Sequence, residues 1–126
     1  MKQEIKTNNA PSAIGPYSQA IKSGNTVFVS GCLPVCPNTG KIEVEITLAT
    51  KQMLENMKEV LAVAGCTMND VVKTTVFMSD LEMFGEMNNV YAEYFTKPYP
   101  ARSCVQVARL PKDVIIEAEC IAVLKA

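Results

Sequence analysis

Apolar positions along this chain switch between a period of two and a period of three to four, and the switches mark its elements. "SQAIKSGNTVFVS" carries two short apolar-rich runs around Ser23-Gly24-Asn25, which predicts a β-hairpin with strands at 18–22 and 26–30. "CLPVCPNTGK" follows with two prolines and a glycine and reads as a loop. From about Thr47 to Ala64, Leu54, Met57, Leu61 and Ala64 recur at helical steps, and Gly65 stands where a helix-ending glycine belongs. "VVKTTVFM" (71–78), β-branched and aromatic, predicts a strand. Phe84, Met87, Tyr91 and Tyr94 form a second helical stripe that stops before Pro98. After Arg102 come a strand in "SCVQVA", a turn at 110–113 and a last strand at 114–124. The order ββαβαββ predicts a single α+β or mixed α/β domain over residues 1–126, with two helices packed on one face of one sheet.

The last strand also bears on assembly. One side carries Val114, Ile116, Ala118, Cys120, Ala122 and Leu124; the other carries Ile115, Glu117, Glu119, Ile121 and Val123. Both sides are too apolar to face water, and two helices cover only one. A second copy of the chain is the simplest cover, so a homo-oligomer with sheets at the interface is expected.

Composition narrows the chemistry. With 126 residues, 48% apolar and 20% charged, the chain supports one packed core. A net charge of −1 provides no field for nucleic acid or anionic lipid. No stretch approaches the ~20 apolar residues of a membrane span, and "MKQEIKTNNAPS" has no apolar core segment, so a cytoplasmic protein is expected. The five cysteines are odd in number and follow no secretory signal, which argues against a disulfide framework. Cys32 and Cys36 form a C-x3-C pair, but no histidine and no second close pair complete a metal site, and none is expected. The lack of histidine also excludes Ser-His-Asp and Cys-His machinery, leaving carboxylates, Tyr, Lys and Cys for proton transfer.

Three places could carry such chemistry. Only two of the twelve basic residues are arginines, and Arg102 follows Pro98 and Pro100, which deliver it on a stiff, extended approach. Its planar fork suits a carboxylate, although most arginines are surface or interface groups. Glu117 and Glu119 share a strand face with Ile115 and Ile121, where a carboxylate is ion-paired, hydrogen-bonded or protonated; burial there would make a better general base. In "APSAIGPYSQ", Pro11, Gly15 and Pro16 define a rigid loop that fixes Tyr17, either as a hydroxyl donor or as a rim aromatic. "VSGCLP" turns at a glycine, where Ser30 or the backbone N–H groups could meet an anion.

Together, "APSAIGPYSQA", "VFVSGCLP" with "PNTGK", "QMLENMKEVLAVAG", "VVKTTVFMSDLEMFGEMNNVYAEYF", "PARSCVQVARLP" and "IIEAECIAV" resemble the Rid family, formerly YjgF. Within it they resemble the RidA-type 2-iminobutanoate/2-iminopropanoate deaminases, from about residue 8 to residue 124 and in matching order. The resemblance implies a chorismate-mutase-like fold and a homotrimer with active sites in the clefts between subunits. It also implies hydrolysis of enamine and imine products such as 2-aminoacrylate and 2-aminocrotonate to 2-oxo acids and ammonia, without metal or organic cofactor. By motif, Arg102 of "PARS" corresponds to the carboxylate-binding arginine and Glu117 of "IIE" to the residue positioning the attacking water. Tyr17, Ser30, Gly31 and Asn88 correspond to pocket residues, and the main chain of Cys104 to a ligand-facing position. One departure is Cys32, where many relatives have glutamine, which bears on side-chain preference. A trimeric, non-catalytic binder of small 2-oxo acids needs the same residues and is the alternative. RNA cleavage, attached to some relatives, fits neither the net charge nor the missing histidine.

Overall fold

Along the last strand, buried and exposed side chains alternate, and that alternation defines an inner and an outer face for the whole sheet. The computed structural model describes residues 1–125. Its elements are β1 (Lys2–Ile5), β2 (Ala20–Ser23), β3 (Thr26–Cys32), α1 (Ile46–Val63), β4 (Val71–Met78), α2 (Phe84–Tyr94), β5 (Ala101–Gln106) and β6 (Ile116–Val123). The strands form one sheet in the order β1-β2-β3-β6-β4-β5, antiparallel throughout except for the β4–β5 pair. α2 is the crossover that makes β4 and β5 parallel.

The inner face carries Val27, Val29, Val76, Met78, Ile116, Ala118, Cys120 and Ala122, all buried. They meet Met53, Leu54, Met57 and Leu61 of α1, with Met87 and Tyr91 of α2 in the same core. Each large apolar side chain so buried contributes about 1.5–3 kcal/mol. α1 ends as the glycine foretold: Gly65 has φ 85°, its N–H donates to Ala62 O, and the Cys66 N–H donates to Leu61 O.

The outer face carries an apolar patch that no helix among the described residues covers. Phe28, Ile121 and Lys73 stand side by side across β3, β6 and β4, with Ile21 beside Phe28. Phe28 is 48% exposed and Val123 41%.

Several boundaries differ from the sequence expectation. The sheet has six strands, because Lys2–Ile5 pairs with β2; only Ile5 of that strand is buried, so no apolar pattern announces it. β2 begins at Ala20, β3 runs on to Cys32, and β6 starts at Ile116 rather than at residue 114. Arg102 lies inside β5 instead of preceding it, since backbone pairing with β4 begins at Ala101.

Candidate active site

The first group of candidate residues is organised by an irregularity in β3. Val29 pairs with Cys120 and Cys32 with Ala118, so Ser30 and Gly31 together stand opposite Glu119 alone. Such a bulge re-aims the side chains around it. A Cβ on Gly31 would sit only 2.7 Å from Cδ of Glu117, so the glycine leaves the space that the carboxylate fills. Around it lies a cavity of about 630 Å³ bordered by Tyr17, Ser30, Gly31, Lys112, Glu117 and Glu119.

The loop bearing Tyr17 is tied down behind the cavity. The buried Gln19 accepts from the Thr7 N–H at 2.7 Å, and its amide donates to Thr7 O at 3.1 Å and Pro11 O at 2.7 Å. Gly15 takes φ 123°, and its carbonyl accepts from the Tyr17 N–H at 2.9 Å. The Ser30 hydroxyl donates to Ser18 O at 2.6 Å, which leaves its lone pairs free to accept.

Electrostatics single out Glu117. It has no ion-pair partner among the described residues. Burial, and then the neighbouring Glu119, raise its pKa above the ordinary carboxylate value. Cys32 also borders the cavity, but register puts it on the inner side with Val29, where burial and then Glu117 push its thiol up to about 12. It is therefore a neutral thiol at ordinary pH. Lys112 and its neighbour Asp113 both sit at positive φ, 58° and 56°, in a turn held by Arg109, whose Nε and Nη2 donate to the two Asp113 carboxylate oxygens at 2.6 and 3.2 Å.

The second group lies elsewhere. Arg102 pairs with Thr74 and Cys104 with Val76, so both belong to the inner face at the α2 end of the sheet. Nη1 of Arg102 donates to Asn88 Oδ1 at 2.7 Å. Its Cζ lies 4.7 Å from the Tyr91 ring centroid and 5.3 Å from that of Phe84. The Tyr91 hydroxyl is in turn 2.7 Å from Thr74 Oγ1. Like Glu117, Arg102 has no ion-pair partner among the described residues. Burial raises the Cys104 pKa, with Arg102 opposing.

The candidates thus form two sets: Tyr17, Ser30, Gly31 and Glu117 around the cavity, and Asn88, Arg102 and Cys104 beside α2. Glu117 pairs with Phe77 on the outer face, and Arg102 with Thr74 on the inner one, so within one chain the two do not meet. Sequence reading passed over Gln19, Lys112, Phe84 and Tyr91. The last two were legible only as a core stripe, although 84, 88 and 91 fall within about 60° of each other around an ideal helix. Among the described residues no three Cys, Asp or Glu side chains gather as a metal site.

Comparison with known proteins gives a consistent picture. The family model described as Endoribonuclease L-PSP matches residues 7–124. A RutC family protein of Pyrococcus horikoshii is 54% identical over 123 residues, 97% of this chain and 98% of that protein. A protein of Escherichia coli K12 named 2-iminobutanoate/2-iminopropanoate deaminase is 48% identical over 126 residues, 98% of each. The crystal structure of E. coli TdcF with bound serine superposes with a TM-score of 0.93 at 48% identity, covering 98% of this chain and 99% of that one.

Proposed function

The chain belongs to the Endoribonuclease L-PSP family, that is, the Rid (YjgF) family, and from that premise we propose that it is a hydrolytic deaminase of 2-imino acids and their enamine tautomers. Its products are 2-oxo acids and ammonia, and 2-aminoacrylate and 2-aminocrotonate are its expected substrates. One observation carries the reading: a guanidinium and a carboxylate stand on opposite faces of the sheet, each without an ion-pair partner among the described residues. Partly buried charges left without partners are costly, so each is built for something outside its own chain. A homotrimer of chorismate-mutase-like architecture meets both needs. Neighbouring copies cover Phe28, Ile121 and Val123, and Arg102, Asn88 and Cys104 of one copy face Tyr17, Ser30, Gly31 and Glu117 of the next.

In that cleft the substrate carboxylate lies against the free N–H edge of Arg102, which fixes the face of the C=N bond open to attack. Glu117, a stronger base than an ordinary carboxylate, takes a proton from water as the oxygen adds to the C=N carbon. The π electrons pass to nitrogen. Glu117 then returns that proton to the nitrogen to give the carbinolamine. It next takes the hydroxyl proton and passes it to the same nitrogen, the C–N bond breaks, ammonia leaves, and the C=O bond of the 2-oxo acid forms. Tyr17 and Ser30 supply hydrogen bonds around the reacting carbon. Such imines are already electrophilic, so orientation plus one acid–base group, worth ~10²–10⁴-fold, is sufficient.

The test adds the protein to a threonine dehydratase reaction and times ammonia and 2-oxobutanoate release. Faster release in proportion to the protein added is the expected result. Unchanged release together with tight 2-oxobutanoate binding would leave only the binder.

A further inference from the structure

Phe84 is the member of the α2 stripe that does not fit the core. Met87, Val90 and Tyr91 are buried, whereas Phe84 opens the helix and keeps 37% of its surface exposed. Nor does it belong to the core cluster or to the side chains packed against it. What its ring does meet is the Arg102 guanidinium, 5.3 Å from ring centroid to Cζ. One helical turn on, Asn88 takes an Arg102 N–H, and Tyr91 brings a second ring to 4.7 Å of the same carbon. A strand residue is thus gripped from a single helix face at positions i, i+4 and i+7.

We infer that Phe84 and Tyr91 are positioning residues whose rings clamp Arg102 and fix where its remaining N–H groups point. Ring faces attract a guanidinium most strongly where water is partly excluded. An arginine side chain has much rotamer freedom to lose on binding an anion, so one already held grips its ligand more tightly than one that must first be ordered. The two rings are not equivalent. Tyr91 is itself fixed by the core, by Phe95 at 4.4 Å between ring centroids and by Thr74. It forms the rigid jaw, and Phe84, with its free surface, forms the removable one. The clamp also explains how a cation is kept at a half-buried position without a carboxylate, which would otherwise neutralise the fork and block it for substrate. The inference deepens the proposed function, since it rests on the reading that Arg102 grips a substrate carboxylate.

The experiment has one arm without ligand and one with it. In the ligand-free wild-type protein, nuclear magnetic resonance should find the Arg102 side-chain protons displaced upfield by ring currents and its guanidinium rotation slowed. Both effects should weaken in Phe84→Leu and return in Phe84→Tyr. Random-coil shifts in the wild type, or identical spectra in Phe84→Leu, overturn the clamp. In the second arm 2-oxobutanoate is titrated calorimetrically and turnover is measured. Phe84→Leu should bind about three- to thirty-fold more weakly and raise KM with little change in kcat, in a protein whose far-ultraviolet dichroism matches the wild type. Phe84→Tyr should recover the loss. Undiminished affinity in Phe84→Leu overturns the positioning role. If the wild type itself fails to bind 2-oxobutanoate, the functional reading of Arg102 fails, and the ligand-free spectra still decide the clamp.

Discussion

Proton affinity at Glu117 is one place where pH acts on this protein. Burial, reinforced by Glu119, raises its folded pKa above the ordinary 4.5. The folded chain therefore binds that proton more tightly than the unfolded chain. The stability so contributed is fully present below the ordinary pKa and is lost as pH rises through the raised folded value. Glu117→Gln carries no such charge, so it should melt above the wild type at pH 7, with the difference fading below pH 4.5. The same variant should lose about 10²–10⁴-fold in turnover while still binding a 2-oxo acid. Melting curves across pH together with the dehydratase-coupled assay check both. Of the other titratable groups facing Glu117, Cys32 is neutral, and Tyr17 and Lys112 border the same cavity. Glu119 is the only like charge among them. Glu119→Gln should accordingly move the acid limb of the kcat/KM profile to lower pH. A limb that stays in place would show that Glu119 exerts no control over its neighbour.

Among the elements, β3 does the most to shape the cavity, and it does so where it departs from regular pairing. An alanine at 31 would drive its Cβ into the Glu117 carboxylate, the flexible end of a side chain, so the carboxylate swings aside while the strand stays paired. Gly31→Ala should thus lower turnover by about the 10²–10⁴-fold loss of a misplaced base, with far-ultraviolet dichroism and melting close to wild type. A strong drop in melting temperature instead would locate the glycine's role in folding. Here lies the limit of what sequence reveals. Helical stripes and the 71–78 strand are legible because burial imposes a period on side chains. β1 is held by backbone pairing and buries one side chain, so it leaves no period to read. The bulge at Ser30-Gly31 depends on register against a strand nearly ninety residues later, and the Phe84–Asn88–Tyr91 face acquires meaning only once β5 pairs parallel to β4. Both are tertiary facts, invisible to local pattern. Glu117 and Arg102 themselves were legible, as a carboxylate among isoleucines and a rare arginine behind two prolines, but not the fact that they face apart.

At the scale of the whole molecule, that separation becomes a testable statement about how many chains make one site. In a cyclic assembly, each site would take its arginine from one protomer and its glutamate from the neighbour. Arg102→Ala and Glu117→Gln should each be nearly inactive alone, because every site in either homo-oligomer lacks one group. When the two variants are unfolded together and refolded as an equal mixture, protomers assort at random. A site is then intact whenever an arginine-bearing protomer precedes a glutamate-bearing one, which restores about a quarter of wild-type activity. No rearrangement within one chain can produce that gain, since Arg102 and Glu117 lie on opposite faces of the same sheet. Refolding the variants separately and then mixing them should restore nothing until subunits exchange. A mixture as inactive as its parents would mean that the guanidinium and the carboxylate never serve one substrate. The exposed patch of Phe28, Ile121 and Val123 ties the proposed assembly to stability: Phe28→Glu should yield monomers by light scattering and lose turnover together with association, because in that assembly the face that buries the sheet would also close the cleft.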